Sequence, residues 1–82
     1  MSYRPYLESG ALRQMHGLPE RAFDIIVTLL ARICDDPYDP VFSAPTGVPQ
    51  RRVADVGDFG FIVFVVDEAA GLVRVFDLVW TG

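Results

Sequence analysis

Two strongly apolar segments in the last third of the chain constrain its fold more than any other feature. They cover 61–67 and 72–80 and are joined by a short link that ends in Ala70-Gly71. Such a link between apolar runs predicts a turn between two paired strands. Both segments are apolar on both faces, which is typical of interior strands in a small sheet covered by helices. We therefore expect a buried β-hairpin, with a third strand leading into it over about 51–56.

The first half of the chain predicts two helices. Ser9 is a candidate N-cap for a short helix that passes through Met15 and ends at Gly17. A second helix is expected from about Pro19 to Cys34. Its apolar positions recur at helical spacing and predict a single buried stripe made of Phe23, Ile26, Leu30 and Ile33, widened by Ala22, Ile25 and Leu29.

The remaining segments complete the expected order of elements. Residues 3–8 are a candidate short strand, which Pro5 confines to a sheet edge. Residues 38–50 contain three prolines and a Thr46-Gly47 pair and predict an extended loop. The expected order is therefore β-α-α-β-β-β. Early helices followed by late strands favour an α+β fold, with two helices packed on one face of a small, mainly antiparallel sheet.

Composition sets limits on the class of protein. The chain has 82 residues, of which 51% are hydrophobic, so we expect a single domain spanning 1–82 with one core. The net charge is −4 and every basic residue is Arg, a balance that disfavours nucleic-acid binding. The longest apolar run, 61–66, is far shorter than the ~20 residues that span a bilayer. With no signal-peptide pattern, a cytoplasmic protein without a membrane partner is expected.

Four short stretches in the second half carry a family likeness. They are the helix end LLARICDDP, the basic strand start at Arg51 and Arg52, the turn Gly57-Asp58-Phe59, and the strand 64–68 with its acidic end. Together with the element order, they resemble the RelE/ParE toxin superfamily, in which Gly-Asp-Tyr-Arg begins the third strand. The resemblance implies a toxin-like fold and an antitoxin-like protein partner. It also implies, for the ribonuclease members, cleavage of mRNA on the ribosome.

The departures from that family pattern bear on activity. Gly60 stands where the family often has Arg, and the sequence stops at 80–82 without the basic and aromatic residues that ribonuclease members carry there. The resemblance therefore favours a toxin-family protein that acts by binding an antitoxin or another protein target. The alternative is a ribosome-dependent mRNA interferase, an endoribonuclease that binds phosphate through Arg51 or Arg52.

Three arginines are candidate phosphate- or carboxylate-binding residues: Arg51, Arg52 and Arg74. Adjacent strand residues point to opposite faces, so only one of the first two can face a given site. The other interpretation of this pair is a solvated strand end or an ion pair with Asp55. Simple alternation also predicts that Arg74 shares a face with Phe76 while Asp77 lies on the other, and that Arg74 pairs with an acid such as Asp77 or Asp67.

Other residues have weaker functional patterns. Phe59 and Trp80 are candidate interface residues, although Trp80 is equally suited to closing the core. His16, the only histidine, is expected to be a solvent-exposed residue between the helices. Turn chemistry explains the acidic cluster Asp35, Asp36 and Asp39 better than a metal site does. We expect no cofactor, and the lone Cys34 is expected to be a buried, inert thiol. A homodimer is a further alternative among the partners.

Overall fold

The computed structural model describes residues 3–81, which fold as two helices on one mixed sheet. The elements in chain order are β1 Arg4–Leu7, α1 Ser9–His16, α2 Glu20–Asp35, β2 Ala44–Pro45, β3 Arg51–Asp55, β4 Gly60–Asp67 and β5 Leu72–Trp80. The strand order is β1-β5-β4-β3-β2, with β1 parallel to β5 and every other pair antiparallel. The predicted α+β class and the predicted order of elements are confirmed, with one added strand.

The added strand, β2, lies inside the segment predicted to be a loop. Its two residues pair with β3, Ala44 opposite Val53 and Pro45 opposite Arg52. Two residues that include a proline carry no strand pattern of their own. Their strand geometry comes from the neighbour, so it arises only when the loop folds back along β3.

The predicted hairpin is confirmed as β4 and β5. In its turn, Asp67 Oδ1 accepts a hydrogen bond from the backbone N–H of Ala70 at 3.1 Å. Gly71 has φ 67°, a left-handed conformation that glycine adopts without strain. The turn chemistry read from the sequence therefore corresponds to the backbone geometry.

Both helices differ slightly from their predicted form. The N-cap of α1 is Glu8, and Ser9 is the first helical residue, so the prediction of Ser9 as the cap is wrong. In α2 the buried residues are Ala22, Ile26, Leu30, Ile33 and Cys34, whereas Phe23 and Ile25 are 41% and 38% exposed. Helical period identifies the side of a helix that is buried but not how far its neighbour extends. The last turn of α2 meets the start of β1, where Tyr3 N–H donates to Cys34 O at 3.2 Å. In its first turn only Ala22 is buried, and the neighbouring Phe23 is exposed.

The core lies between the two helices and one face of the sheet. Phe64 is fully buried at its centre, with Ile62 and Val66 on the same strand. The two helices contribute Ala11, Met15, Ile26, Leu30 and Ile33, and β5 contributes Val73, Val75 and Leu78. No helix within residues 3–81 is both long and apolar enough to cross a membrane.

The opposite sheet face is not covered by either helix, and we call it the outer face. Its apolar side chains are all partly or substantially exposed: Val53, Phe61, Val63, Val65, Phe76 and Val79. The prediction that both helices pack on one face of the sheet is therefore confirmed, and the second apolar face of these strands is left uncovered by them. The strands are apolar on both faces, but the two helices described in the structure pack on the same side.

A bulge in β5 changes which residues lie on the outer face. Val63 is opposite Asp77 and Phe64 is opposite Val75, so Phe76 is an extra residue in the ladder. A bulge places two residues of one strand against one of its neighbour, and the alternation shifts beyond it. Asp77 therefore lies on the outer face beside Phe76, and the prediction that it lies on the other face is wrong.

Cys34 is buried, as predicted, at 1% exposure. Burial, and then the charge of Asp35, raises the pKa of its thiol to about 11. Since the thiolate is the reactive form, we expect the native protein to resist thiol reagents near pH ~8. Labelling should become fast only after unfolding, and a denatured sample measured in parallel supplies the control. Rapid labelling of the native protein would contradict the burial of this residue.

Three segments meet at a cluster of two tyrosines and one carboxylate. Tyr3 Oη and Tyr38 Oη both donate to Glu68 Oε1, at 2.5 and 2.9 Å. Glu68 lies in the β4–β5 turn, Tyr3 precedes β1, and Tyr38 follows α2. The cluster therefore ties the start of the chain and the α2–β2 loop to the hairpin.

The same cluster gives a prediction for alkaline pH. The hydrogen bond to Glu68, aided by desolvation and by the Glu68 charge, raises the pKa of Tyr3 from 10.0 to about 12. A raised folded-state pKa stabilises the native form below the unfolded value, and that stabilisation is lost as the pH rises through the folded value. Desolvation, and then the hydrogen bond to Glu68, also raises the pKa of Tyr38. In Glu68→Gln, we therefore expect Tyr3 and Tyr38 both to ionise at a lower pH in an ultraviolet absorbance titration. Glu20→Gln should leave the titration unchanged; an unchanged titration in Glu68→Gln would refute the assignment.

Candidate functional site

Two of the three candidate arginines flank one residue at the outer face. Arg51 of β3 and Arg74 of β5 are both opposite Val65 of β4, which places them on the same face two strands apart. Neighbouring strands are ~4.8 Å apart, so the two backbone positions are separated by roughly 10 Å. The topology therefore brings together two residues that are 23 positions apart in the sequence.

Arg74 is engaged by two carboxylates. Its Nη2 lies 2.7 Å and its Nε 3.2 Å from Glu8 Oε1, and its Nη1 lies 3.7 Å from Asp67 Oδ2. The guanidinium also lies 5.5 Å from the centre of the Tyr6 ring. The hydrogen bond to Glu8, and then its charge, raises the pKa of Arg74 further. The predicted ion pair with Asp67 is present, whereas the alternative partner, Asp77, forms no ion pair among the described residues.

Glu8 was not predicted as a partner of Arg74. The parallel pairing of β1 with β5 puts Tyr6 opposite Arg74, and Glu8 follows two positions later on the same face. Sequence alternation alone predicts that Glu8 lies on the same face of the sheet as Tyr6. It does not identify β5 as the neighbouring strand, so no signal short of the sheet order would have found this contact.

Arg51 is exposed and lies beside an aromatic ring. Its guanidinium carbon is 5.9 Å from the centre of the Phe76 ring, close enough for a cation–π contact. Asp55 lies on the same strand and the same face, also exposed. The alternative prediction of an Arg51–Asp55 ion pair is wrong within residues 3–81, where the ion pairs involve Arg74.

Arg52 points to the opposite side of the sheet. Its Nε donates to Ser43 Oγ at 2.8 Å and its Nη2 to Ser43 O at 3.0 Å, and its guanidinium lies 5.6 Å from the centre of the Tyr38 ring. Ser43 is itself buried, and its hydroxyl donates to Pro37 O at 3.0 Å. Arg52 therefore anchors the loop that precedes β3, and only Arg51 of the adjacent pair reaches the outer face.

Phe59 and Trp80 lie against each other at one end of the sheet. Their ring centres are 5.3 Å apart at 36°, and Phe59 is 47% exposed. They border a shallow groove of ≈ 240 Å³ with Pro19, Arg21, Ala22 and Ile25. Trp80 also packs against the core, and its buried Nε1 has no hydrogen-bond partner within residues 3–81. The interface role of this aromatic pair stays a prediction.

Gly60 lies at the start of β4, directly against the backbone at the end of β5. It is opposite Trp80, and a Cβ atom placed there would lie 1.8 Å from Val79 O and 2.8 Å from Val79 C. Backbone atoms cannot move aside as a flexible side chain does. The departure from the family pattern at Gly60 therefore has a steric reason: this backbone has no room for an arginine.

The remaining candidates lie outside the outer face. His16 is the exposed last residue of α1, which packs on the other side of the sheet. Asp36 Oδ1 accepts from Tyr38 N–H at 3.1 Å and Asp39 Oδ1 from Val41 N–H at 2.9 Å, so both carboxylates stabilise turns. Within residues 3–81, no group of three His, Cys, Asp or Glu side chains is arranged to hold a metal ion.

Comparison with known proteins gives a structural match without a sequence match. No protein-family model and no curated protein matches the chain. A chain of the intact E. coli RelBE toxin–antitoxin complex superimposes with a TM-score of 0.84 at 15% identity, covering 98% of both chains. This chain has the RelE toxin fold. The isolated E. coli RelE toxin superimposes equally well, over 98% of this chain and 85% of that one. An archaeal RelE–RelB complex from Pyrococcus horikoshii gives a TM-score of 0.72 at 18% identity, over 100% and 98%.

Proposed function

We propose that this chain is a RelE-fold protein of a toxin–antitoxin pair that acts by binding a protein partner, an antitoxin-like chain or another protein target. The observation that carries the proposal is the outer face. It combines a row of exposed apolar side chains with an arginine, Arg74, whose charge is already balanced by Glu8 and Asp67.

The charge distribution favours a protein ligand over a nucleic acid. A phosphate approaching Arg74 has to compete with two carboxylates that already lie within 4 Å of the guanidinium. Arg52 is turned away, which leaves Arg51 as the accessible cation of the adjacent pair. His16, the only histidine, lies on the far side of the sheet and cannot act as a general base at the outer face. An apolar surface rimmed by mixed charges is typical of a protein interface.

The similar structures agree with this proposal. Two of them, from E. coli and Mycobacterium tuberculosis, are toxin–antitoxin complexes, and a third, from Pyrococcus horikoshii, is a RelE–RelB complex. A flat sheet face accepts the apolar side of a partner helix, and a sheet edge accepts an added strand. Neither mode requires catalytic residues on the toxin-fold chain.

The test first asks whether a short reading frame lies beside the gene for this chain, and then uses the product of that frame. Titration calorimetry should show binding that Val63→Glu on the outer face weakens by about 100-fold, because a buried, unpaired charge costs several kcal/mol. Val27→Glu is the matched control, since Val27 is 46% exposed on α2, away from the outer face. Equal binding by both variants would refute the outer face as the binding surface. The absence of any such frame, or of any binding, would count against the toxin–antitoxin assignment.

The alternative function is ribosome-dependent mRNA cleavage. It is favoured by the placement of Arg51 and Arg74 on either side of Val65, which gives two cations on one face. Purified protein added to translating ribosomes would then produce cuts with codon periodicity, and Arg51→Ala would reduce them while Arg13→Ala on α1 would not. Intact mRNA in that assay would exclude the alternative and leave the protein-binding proposal standing.

A further inference from the structure

Two opposite charges on the outer face lie at equal distances from a point midway along β3. Arg51 and Asp55 lie on β3, both exposed, with Val53 midway between them. Across the sheet, Arg51 is level with Val65 and Asp55 is level with Phe61, so Val63 marks the midpoint on β4. A two-fold rotation about this midpoint generates a second copy in which the two ends of β3 are exchanged. Arg51 of one copy then lies opposite Asp55 of the other.

We propose that the outer face binds the outer face of a second copy of this chain, forming a two-fold symmetric dimer in which sheet packs on sheet. The axis lies between the sheets and runs across the strands at the level of Val53 and Val63. Arg51 of each copy then faces Asp55 of the other copy. Interfaces with this symmetry are self-complementary, so each contact occurs twice.

The apolar residues support this choice of occupant. Phe61 and Val65 lie on either side of the axis on β4, and Phe76 and Val79 extend the patch along β5. Phe61 and Phe76 are 37% and 41% exposed, so a large part of each ring is available for burial. Facing sheets pack ~10 Å apart with interdigitating side chains, a spacing that these valine and phenylalanine rows fill.

The charges also favour this axis over the other simple one. A two-fold axis parallel to the strands along β4 would exchange β3 with β5 at the same level. Arg51 of one copy would then face Arg74 of the other, since both are level with Val65. Glu8 and Asp67 already bind that Arg74, so Arg51 would gain no free carboxylate there. The axis across the strands instead gives Arg51 a contact with Asp55, which forms no ion pair within residues 3–81 of one copy.

Asp77 supplies an internal check on the geometry. It is exposed on β5 at the level of Val63, close to the proposed axis, so the two Asp77 carboxylates of the dimer approach each other. Asp77→Asn is therefore expected to tighten the dimer, whereas removing an acidic group elsewhere should not. A weaker or unchanged dimer in this variant would contradict the position of the axis.

Sedimentation equilibrium of the purified full chain tests the proposal directly. The wild-type protein should show a concentration-dependent monomer–dimer equilibrium in the micromolar range. Arg51→Glu and Asp55→Arg should each raise the dimer dissociation constant by at least about tenfold, because each puts like charges in contact twice. Arg13→Glu on α1 makes the same change in net charge as Arg51→Glu and should leave the equilibrium unchanged.

Charge exchange is the decisive arm. An equimolar mixture of the Arg51→Glu and Asp55→Arg variants should form a heterodimer as tight as the wild-type dimer, since both cross-pairs are again opposite in sign. The double variant R51E/D55R should likewise recover self-association. Circular dichroism confirms that each variant is folded. A monomeric wild-type protein, or mutual failure of the two single variants to rescue each other, would overturn the proposal.

The dimer does not depend on the proposed function, because it requires no second protein. The two proposals do share a surface, so a partner that binds the outer face should dissociate the dimer. Binding of the neighbouring gene product with no self-association would overturn only the dimer. Self-association with no such binding would overturn only the proposed function.

Discussion

Phe64→Ala is expected to lower the free energy of unfolding by about 3–5 kcal/mol, the range for removing a buried phenylalanine from a packed core. Phe64 is fully buried on β4, the central strand, where it faces both helices. A chain of this size has a total stability of roughly 4–12 kcal/mol, so the variant loses a large part of it. Urea unfolding followed by circular dichroism measures the change.

Phe61→Ala is the matched control for this prediction. It removes the same atoms from the same strand, but Phe61 lies on the outer face and is 37% exposed. Its cost should be clearly smaller than that of Phe64→Ala, because part of the ring contacts water in the folded monomer already. Equal losses from the two variants would show that the core does not lie on the helix side alone.

Gly60→Ala is expected to cost about 3 kcal/mol or more, at or above the upper end of the usual cost of overpacking. The added Cβ would lie 1.8 Å from Val79 O. The strands are also held together next to this site, where Thr81 N–H donates to Phe59 O at 2.6 Å. The ladder between the start of β4 and the end of β5 would therefore have to open. The fluorescence of Trp80, which is paired with Gly60, reports the change locally and urea unfolding reports it globally.

Gly10→Ala provides a control of opposite sign. Gly10 lies inside α1, and a Cβ atom built there has no neighbour within 4 Å. Alanine is preferred over glycine in a helix interior by about 0.5–1 kcal/mol, and Gly10 is in the first turn of α1, so this variant should be more stable than the wild type by at most that amount. A destabilised Gly10→Ala, or a neutral Gly60→Ala, would contradict the backbone geometry at the corresponding site.

The steric restriction at Gly60 also bears on activity. The family often has Arg at the position of Gly60. Introducing that Arg here would require the sheet to open, because the clash is with backbone atoms. A gain of ribonuclease activity through Gly60→Arg is therefore not expected. The close pairing of β4 with β5 at Gly60 therefore requires a residue without a side chain, which excludes a cation at this position.

Much of the fold follows from local sequence patterns. The 3.6-residue period of α2, the apolar runs of β4 and β5, and the Ala70-Gly71 turn each depend on residues close in sequence. Interactions of this kind can be inferred without knowing what the segment packs against. Local sequence patterns did not predict elements whose conformation depends on a neighbouring strand. β2 is an example, since it is a strand only because it pairs with β3.

The sequence offered candidate residues for the site but not their arrangement. Arg51, Arg52 and Arg74 were identified from strand position, and alternation correctly separated the first two. The bulge at Phe76 then moved Asp77 to the outer face, and the parallel pairing of β1 brought Glu8 to Arg74. A one-residue insertion in a ladder leaves no mark in the apolar pattern, so neither outcome could be read from the sequence.

The sequence by itself determined the element types, their order and the residues available for the core, since these follow from backbone propensity and side-chain period. Only the tertiary structure decided which side chains form the uncovered apolar face, and that Arg74 is neutralised while Arg51 is not. Those outcomes depend on strand order, register and one bulge, which bring together residues far apart in the chain. The physical reason is that the interaction energy of two residues far apart in the sequence depends on their distance in the folded sheet, which no local pattern specifies.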